Sequence, residues 1–123
     1  MAFLTDRKRA TGLGSGRRGT EHHWKMMISS VALVVLVPLF VFTFGAGMGG
    51  TYEEVLAYFS RPFPAIVTAL TAVVAILHFK AEAEEAIIDY VHGTAGKLAL
   101  VAVTAFSWAL IVSALFALVK LAL

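Results

Sequence analysis

Residues 77–93 read LHFKAEAEEAIIDYVHG, and this stretch joins an apolar run to a polar one. His78 stands at the end of the apolar run, and Asp89 and Tyr90 stand near the end of the polar one. Ionisable residues inside a membrane are costly and often mark functional sites. The stretch therefore predicts a long membrane helix that carries a histidine at depth and an Asp–Tyr pair where it leaves the membrane.

The composition is that of a membrane protein. The chain has 123 residues, and 59% of them are hydrophobic, more than a soluble domain of this size would carry. Three apolar segments are long enough to span a bilayer, so we expect an all-α integral membrane fold with three transmembrane helices. The absence of cysteine excludes disulfides, iron–sulfur ligation and covalent c-type haem attachment within this chain. Noncovalent haem binding through histidine stays open.

Two parts are expected, a basic N-terminal segment at 1–25 and a transmembrane domain at 26–123. Residues 65–77 alone are too short to span a bilayer, but a helix that continues to Val91 would reach roughly 40 Å. The three transmembrane helices are predicted at about 26–46, 64–91 and 97–121.

A short interfacial helix is predicted between the first and second spans. Thr51 is a suitable N-cap, and the acidic residues after it favour the positive end of a helix dipole. Tyr52, Leu56 and Phe59 are expected to face lipid.

Basic residues predict the orientation in the membrane. The loop between spans one and two has only Arg61, whereas Lys80 and Lys97 flank the turn between spans two and three. By the positive-inside rule, we expect a cytoplasmic N-terminus and a C-terminus on the other side. The six basic residues before the first span are Arg7, Lys8, Arg9, Arg17, Arg18 and Lys25.

Four polar residues of the second span follow helical spacing. His78, Glu82, Glu85 and Asp89 share one face of a 3.6-residue helix. The histidine could be hydrogen-bonded across helices, or it could be a haem ligand or proton relay. The neighbouring Glu84, like Glu85, is expected to be solvated where the helix has left the membrane.

Two further alternatives concern this polar stretch. His78, Glu82, Glu85 and His92 have the side chains of a metal site, but di-metal bundles draw Glu-x-x-His pairs from several helices, and no such pair occurs here. Tyr90 could be an interfacial anchor, or its phenol could donate a hydrogen bond to a quinone with the neighbouring acid supplying protons.

The chain resembles the small hydrophobic membrane-anchor subunits of succinate dehydrogenase, respiratory complex II, and most closely the alphaproteobacterial ones. The resemblance is carried by His78 followed by DYVHG at 89–93, by LTDRKRA at 4–10 and by GTEH at 19–22. It implies a complex with a flavoprotein, an iron–sulfur subunit and a second membrane anchor in the bacterial inner membrane, with the C-terminus in the periplasm. FAD and iron–sulfur clusters would belong to the partners, and the isolated chain would catalyse nothing.

The resemblance also implies roles for individual residues. His78 would be one axial ligand of a haem b shared with the second anchor, so that it binds the haem iron. Tyr90 would hydrogen-bond ubiquinone with Asp89 beside it, and His22 would lie near a haem propionate. The family usually has glycine four residues after the haem histidine, where this chain has Glu82. An arginine common early in the first helix is also missing, with Lys25 the nearest basic residue.

Two other functions are compatible with the sequence. One is a proton- or ion-conducting membrane subunit that uses the acidic face of the second span. The other is a fumarate reductase anchor, which differs in the direction of catalysis. Membrane lipid is an expected partner in each case, and nucleic acid is not.

Overall fold

The computed structural model describes residues 5–12 and 19–123, and within these ranges it contains helices and no strands. Leu4, Arg17 and Arg18, which belong to the predicted basic segment, lie outside the described residues. The helices are α1 (Asp6–Thr11), α2 (Gly19–Gly47), α3 (Tyr52–Phe59), α4 (Pro62–Tyr90) and α5 (Gly93–Ala122).

Helices α2, α4 and α5 are long and apolar enough to cross a membrane, which confirms the predicted all-α fold with three spans. Most of their large apolar side chains are exposed in the isolated chain, including Phe42, Phe79 and Phe116. Because the chain buries so few of these side chains itself, lipid or other membrane helices must cover them.

Helix α4 lies between the other two spans, since it packs along both α2 and α5. Its buried residues near the N-terminal end are small, and they include Val67, Thr68 and Thr71. Small side chains let membrane helices approach closely, where van der Waals contact and hydrogen bonds replace the hydrophobic effect. Helix α4 is therefore the element whose residues face both neighbours.

The second span continues as one helix far beyond its apolar part, as the sequence predicts. Prolines at the first turn, Pro62 and Pro64, suit a helix start because the first N–H groups need no helical acceptor. The helix then runs unbroken through His78 to Tyr90. This continuity places the histidine inside the bundle and the tyrosine at the helix end.

Two helices begin earlier than the sequence suggests. Helix α2 begins at Gly19, and a Lys25–Glu21 ion pair of 2.8 Å spans one turn of its polar start, so the expected boundary at residue 25 falls inside a helix. Helix α5 begins at Gly93, before the expected residue 97. A Cβ atom on the buried Gly96 would collide with the carbonyl oxygen of Val91, so glycine allows this tight start.

Thr51 is the N-cap of the short helix α3, and it forms a capping box with Glu54. The Tyr58 hydroxyl donates a 2.7 Å hydrogen bond to the carbonyl oxygen of Thr43 on α2. The expectation that Phe59 faces lipid is wrong, because its side chain is only 2% exposed and its ring packs against Phe44. Helix α3 thus packs on the bundle through one aromatic side.

Candidate functional site

His78 lies on the side of α4 that faces α2, and its side chain is 14% exposed. Its Nδ1 atom is 2.8 Å from the Oγ atom of Ser29 on α2. This contact joins two membrane spans through polar side chains in an otherwise apolar stretch. The structure therefore places the imidazole between helices.

The second contact of Ser29 indicates the protonation of the imidazole. Its Oγ atom is also 2.9 Å from the carbonyl oxygen of Met26, one turn earlier on α2. A hydroxyl has one hydrogen to donate, and when it donates to this carbonyl its oxygen accepts from the Nδ1–H of His78. In that tautomer the Nε2 atom keeps a free lone pair, as a metal-binding histidine requires.

Glu82 lies one turn after His78 on α4, near that lone pair. Its Oε1 atom is 3.7 Å from Nε2 of His78, beyond a hydrogen bond, and its side chain is 57% exposed. A carboxylate this exposed can rotate toward solvent or a partner without leaving a buried charge behind. Glu82 therefore does not prevent another group from binding at Nε2.

His22 forms a second polar contact between α2 and α4. Its Nε2 atom is 2.7 Å from the Oε1 atom of Glu85, and both side chains are about half exposed. Glu85 is exposed, as the sequence suggested, and it also contacts the other helix. Two of the four residues on the predicted polar face, His78 and Glu85, contact α2.

A cavity of about 390 Å³ lies between α2 and α4. His22, Lys25 and Ser29 line it from α2, and Lys80 and Glu84 line it from α4. The cavity is therefore next to Ser29, which contacts His78, and its lining includes both positively and negatively charged side chains. Met26, Leu77 and Ala81 complete the lining, so the cavity has an apolar side as well as a charged one.

Glu84 is not solvated, and that expectation is wrong. Its side chain is only 25% exposed, and its Oε1 atom lies 2.6 Å from Nζ of Lys80. The hydroxyl of Thr104 on α5 donates a 3.0 Å hydrogen bond to the same oxygen. Lys80 and Glu84 lie one turn apart on the same face of α4, where their side chains can meet. Their burial depends on α5, which covers this side of α4.

Asp89 and Tyr90 lie at the far end of α4, and both are exposed. Tyr90 is 84% exposed. Twelve residues of helix separate Tyr90 from His78, which corresponds to roughly 18 Å along the axis. The structure thus leaves the Asp–Tyr pair apart from the histidine and open to a neighbouring molecule.

The polar residues do not form a metal centre of their own. Across residues 5–12 and 19–123, no group of three or more His, Asp or Glu side chains is arranged to hold a metal ion. His92 precedes the first residue of α5, and Glu82 and Glu85 contact different histidines.

Comparison with known proteins identifies the family. Residues 3–119 match the profile of the succinate dehydrogenase/fumarate reductase transmembrane subunits. The chain belongs to this family. A succinate dehydrogenase hydrophobic membrane anchor subunit from Paracoccus denitrificans is 45% identical over 123 residues, covering 100% of this chain and 95% of that protein. No solved structure matches the chain significantly.

As a succinate dehydrogenase/fumarate reductase membrane anchor, the chain carries polar contacts that sequence reasoning missed. Ser29, Lys80 and Thr104 were not among the expected site residues. The signal for Ser29 was the pair of adjacent hydroxyls, Ser29 and Ser30, inside an otherwise apolar span. Which of the two faces α4 follows only from helix packing.

Proposed function

We propose that this anchor subunit docks the flavoprotein and iron–sulfur subunits of a bacterial succinate dehydrogenase, and that it shares a haem b and a ubiquinone-reduction site with a second anchor. The family membership and the name of the Paracoccus denitrificans relative support the complex. Spans that expose most of their apolar residues support contact with another membrane subunit. FAD and the iron–sulfur clusters belong to the partners.

His78 is the proposed axial haem ligand. Membership of the succinate dehydrogenase/fumarate reductase transmembrane family supports a haem, and the hydrogen bond between Nδ1 and Ser29 leaves Nε2 to bind it. The residues fit a haem group. The imidazole is mostly buried, Nδ1 contacts Ser29, and Nε2 lies 3.7 Å from the exposed Glu82, too far for a hydrogen bond. Haem would supply one-electron chemistry at this position, and the second anchor would provide the other ligand.

His22 is the proposed neighbour of a haem propionate. It shares a cavity with Lys25 and Ser29, so a cationic group and the residue that contacts His78 line the same space. Lys80 also lines the cavity, but its charge is paired with Glu84. A propionate is an anion, and such groups stabilise it by hydrogen bonds and by charge.

Tyr90 is the proposed hydrogen-bond donor to a ubiquinone carbonyl, with Asp89 beside it. Reduction of a quinone consumes protons with electrons, so its site needs a donor and a route to water. The exposed ends of both side chains at the terminus of α4 meet these needs. The basic residues before α2 support a cytoplasmic N-terminus in the inner membrane, and with three spans this places the end of α4 in the cytoplasm and the C-terminus in the periplasm.

The haem assignment is tested by His78→Ala in the purified complex. We expect loss of the low-spin haem b signal from the reduced-minus-oxidised spectrum, because the substitution removes an axial nitrogen. His23→Ala changes an exposed histidine on α2 and is the matched control. A wild-type haem spectrum in the His78→Ala complex would exclude His78 as a ligand.

The family description covers fumarate reductase as well as succinate dehydrogenase, so the direction of catalysis needs its own test. The name of the relative favours succinate oxidation. We expect the purified complex to reduce ubiquinone with succinate faster than it reduces fumarate with a quinol. The opposite ratio would identify a fumarate reductase.

A further inference from the structure

We propose that Ser29 is a positioning residue for His78, fixing the tautomer and ring orientation of the haem ligand. This inference rests on the proposed function, since it assigns His78 to haem. It names a residue on the neighbouring helix α2 that does not itself touch the iron. The role depends on two contacts of Ser29, one with His78 on α4 and one with the Met26 carbonyl oxygen on α2.

The Ser29 hydroxyl donates to the Met26 carbonyl oxygen, which leaves its own oxygen as an acceptor for the tautomer of His78 that carries a proton on Nδ1. Ser29 Oγ lies 2.9 Å from the Met26 carbonyl oxygen and 2.8 Å from Nδ1 of His78. Iron ligation through Nε2 requires that the ring proton sit on Nδ1, and that proton needs an acceptor in an apolar span. The hydroxyl oxygen is this acceptor once its own hydrogen points to the carbonyl.

Ser30 shows that the role belongs to position and not to residue type. Its hydroxyl also donates a 2.9 Å hydrogen bond to the carbonyl oxygen of Met26. Ser30 is exposed, however, whereas Ser29 is partly buried against α4. Both serine hydroxyls therefore donate to the same carbonyl oxygen, but only Ser29 also contacts the imidazole.

An acceptor at Nδ1–H has consequences for the metal as well as for the ring. It raises the basicity of the ligating nitrogen, which stabilises the ferric state relative to the ferrous one. Its loss should therefore raise the midpoint potential of the haem. Loss of such a partner typically weakens metal binding by roughly 10- to 100-fold, so haem should also leave the protein faster.

The test compares Ser29 variants in the purified native complex by redox titration, by the EPR spectrum of the ferric haem, and by the rate of haem transfer to apomyoglobin. For Ser29→Ala we expect a higher midpoint potential, shifted g-values and haem transfer that is faster by about tenfold. Ser29→Thr keeps the hydroxyl and should behave as wild type. Ser30→Ala is the matched control and should change none of the three.

A second pair of variants decides the matter if Ser29→Ala fails to assemble. Ser29→Thr and Ser29→Val have the same shape and differ in one hydroxyl, so only the valine variant should shift the potential and the g-values. Equal values in the two, or wild-type values in Ser29→Ala, would overturn the inference. Failure of the haem assignment is distinguishable, because His78→Ala would then keep the low-spin haem signal.

Discussion

The Nζ atom of Lys80 lies 2.6 Å from the Oε1 atom of Glu84, and the pair is closed off on one side by helix α5. Only 19% of the lysine side chain and 25% of the glutamate side chain are exposed. The Thr104 hydroxyl donates to the same carboxylate oxygen and so links the ion pair to α5. Two opposite charges inside a predicted span thus neutralise each other and join two helices.

Removing one charge of this pair should destabilise the bundle more than removing both. Glu84→Leu or Lys80→Met leaves an unpaired charge in a poorly hydrated place, which we expect to cost about 1–3 kcal/mol, reduced from fully buried pairs by partial exposure. The double variant leaves no charge and should recover part of that loss. The midpoint of thermal unfolding, measured on the purified complexes, should therefore be lower for each single variant than for the double variant.

Glu53→Ala removes an exposed carboxylate on α3 and should leave that midpoint unchanged. If the midpoint of the double variant falls by as much as the sum of the falls in the two single variants, Lys80 and Glu84 act independently. The ion pair then contributes nothing to stability.

Tyr90→Phe should lower succinate-driven ubiquinone reduction by roughly tenfold, because one hydrogen bond to the quinone is lost. Succinate oxidation with an artificial acceptor should be unchanged, since that reaction uses the partner subunits alone. Tyr52→Phe is the matched control, since Tyr52 is similarly exposed but lies on α3. Unaltered quinone reduction in Tyr90→Phe would reject the assigned role of the phenol.

Gly47→Ala should destabilise the contact between α2 and α3. A Cβ atom at this buried position would come within 2.6 Å of the Tyr58 ring, whose hydroxyl bonds to Thr43. Displacing the ring breaks that hydrogen bond and lowers the thermal midpoint. At Gly45 no atom lies within 4 Å of the added Cβ, so Gly45→Ala should be neutral. Equal midpoints for the two variants would show that the Tyr58 contact is dispensable.

The orientation is open to a direct test because the chain has no cysteine. In intact spheroplasts an impermeant maleimide should label Glu53→Cys, which lies between the first two spans. Thr94→Cys, at the start of α5, should label only after the membrane is permeabilised. The unsubstituted chain is the background control, and the reverse labelling pattern would invert the proposed topology.

The helices were predictable from the sequence, whereas most of the site contacts were not. Apolar length indicates three spans, and Thr51 indicates the N-cap of α3, because these are local properties of the chain. Glu84 shows the limit. The sequence predicted a solvated side chain at this position, but the burial of Glu84 depends on where α5 packs.

The sequence by itself determined that this chain has three membrane helices, that the second extends from its apolar part to Tyr90, and that His78 lies within it. Only the tertiary structure decided that Ser29 rather than Ser30 meets the imidazole, that His22 meets Glu85, and that Thr104 completes the Lys80–Glu84 pair. The physical reason is that hydropathy and helical period act along one segment, whereas a hydrogen bond between helices depends on their relative rotation and depth. A single chain's periodicity does not contain that information.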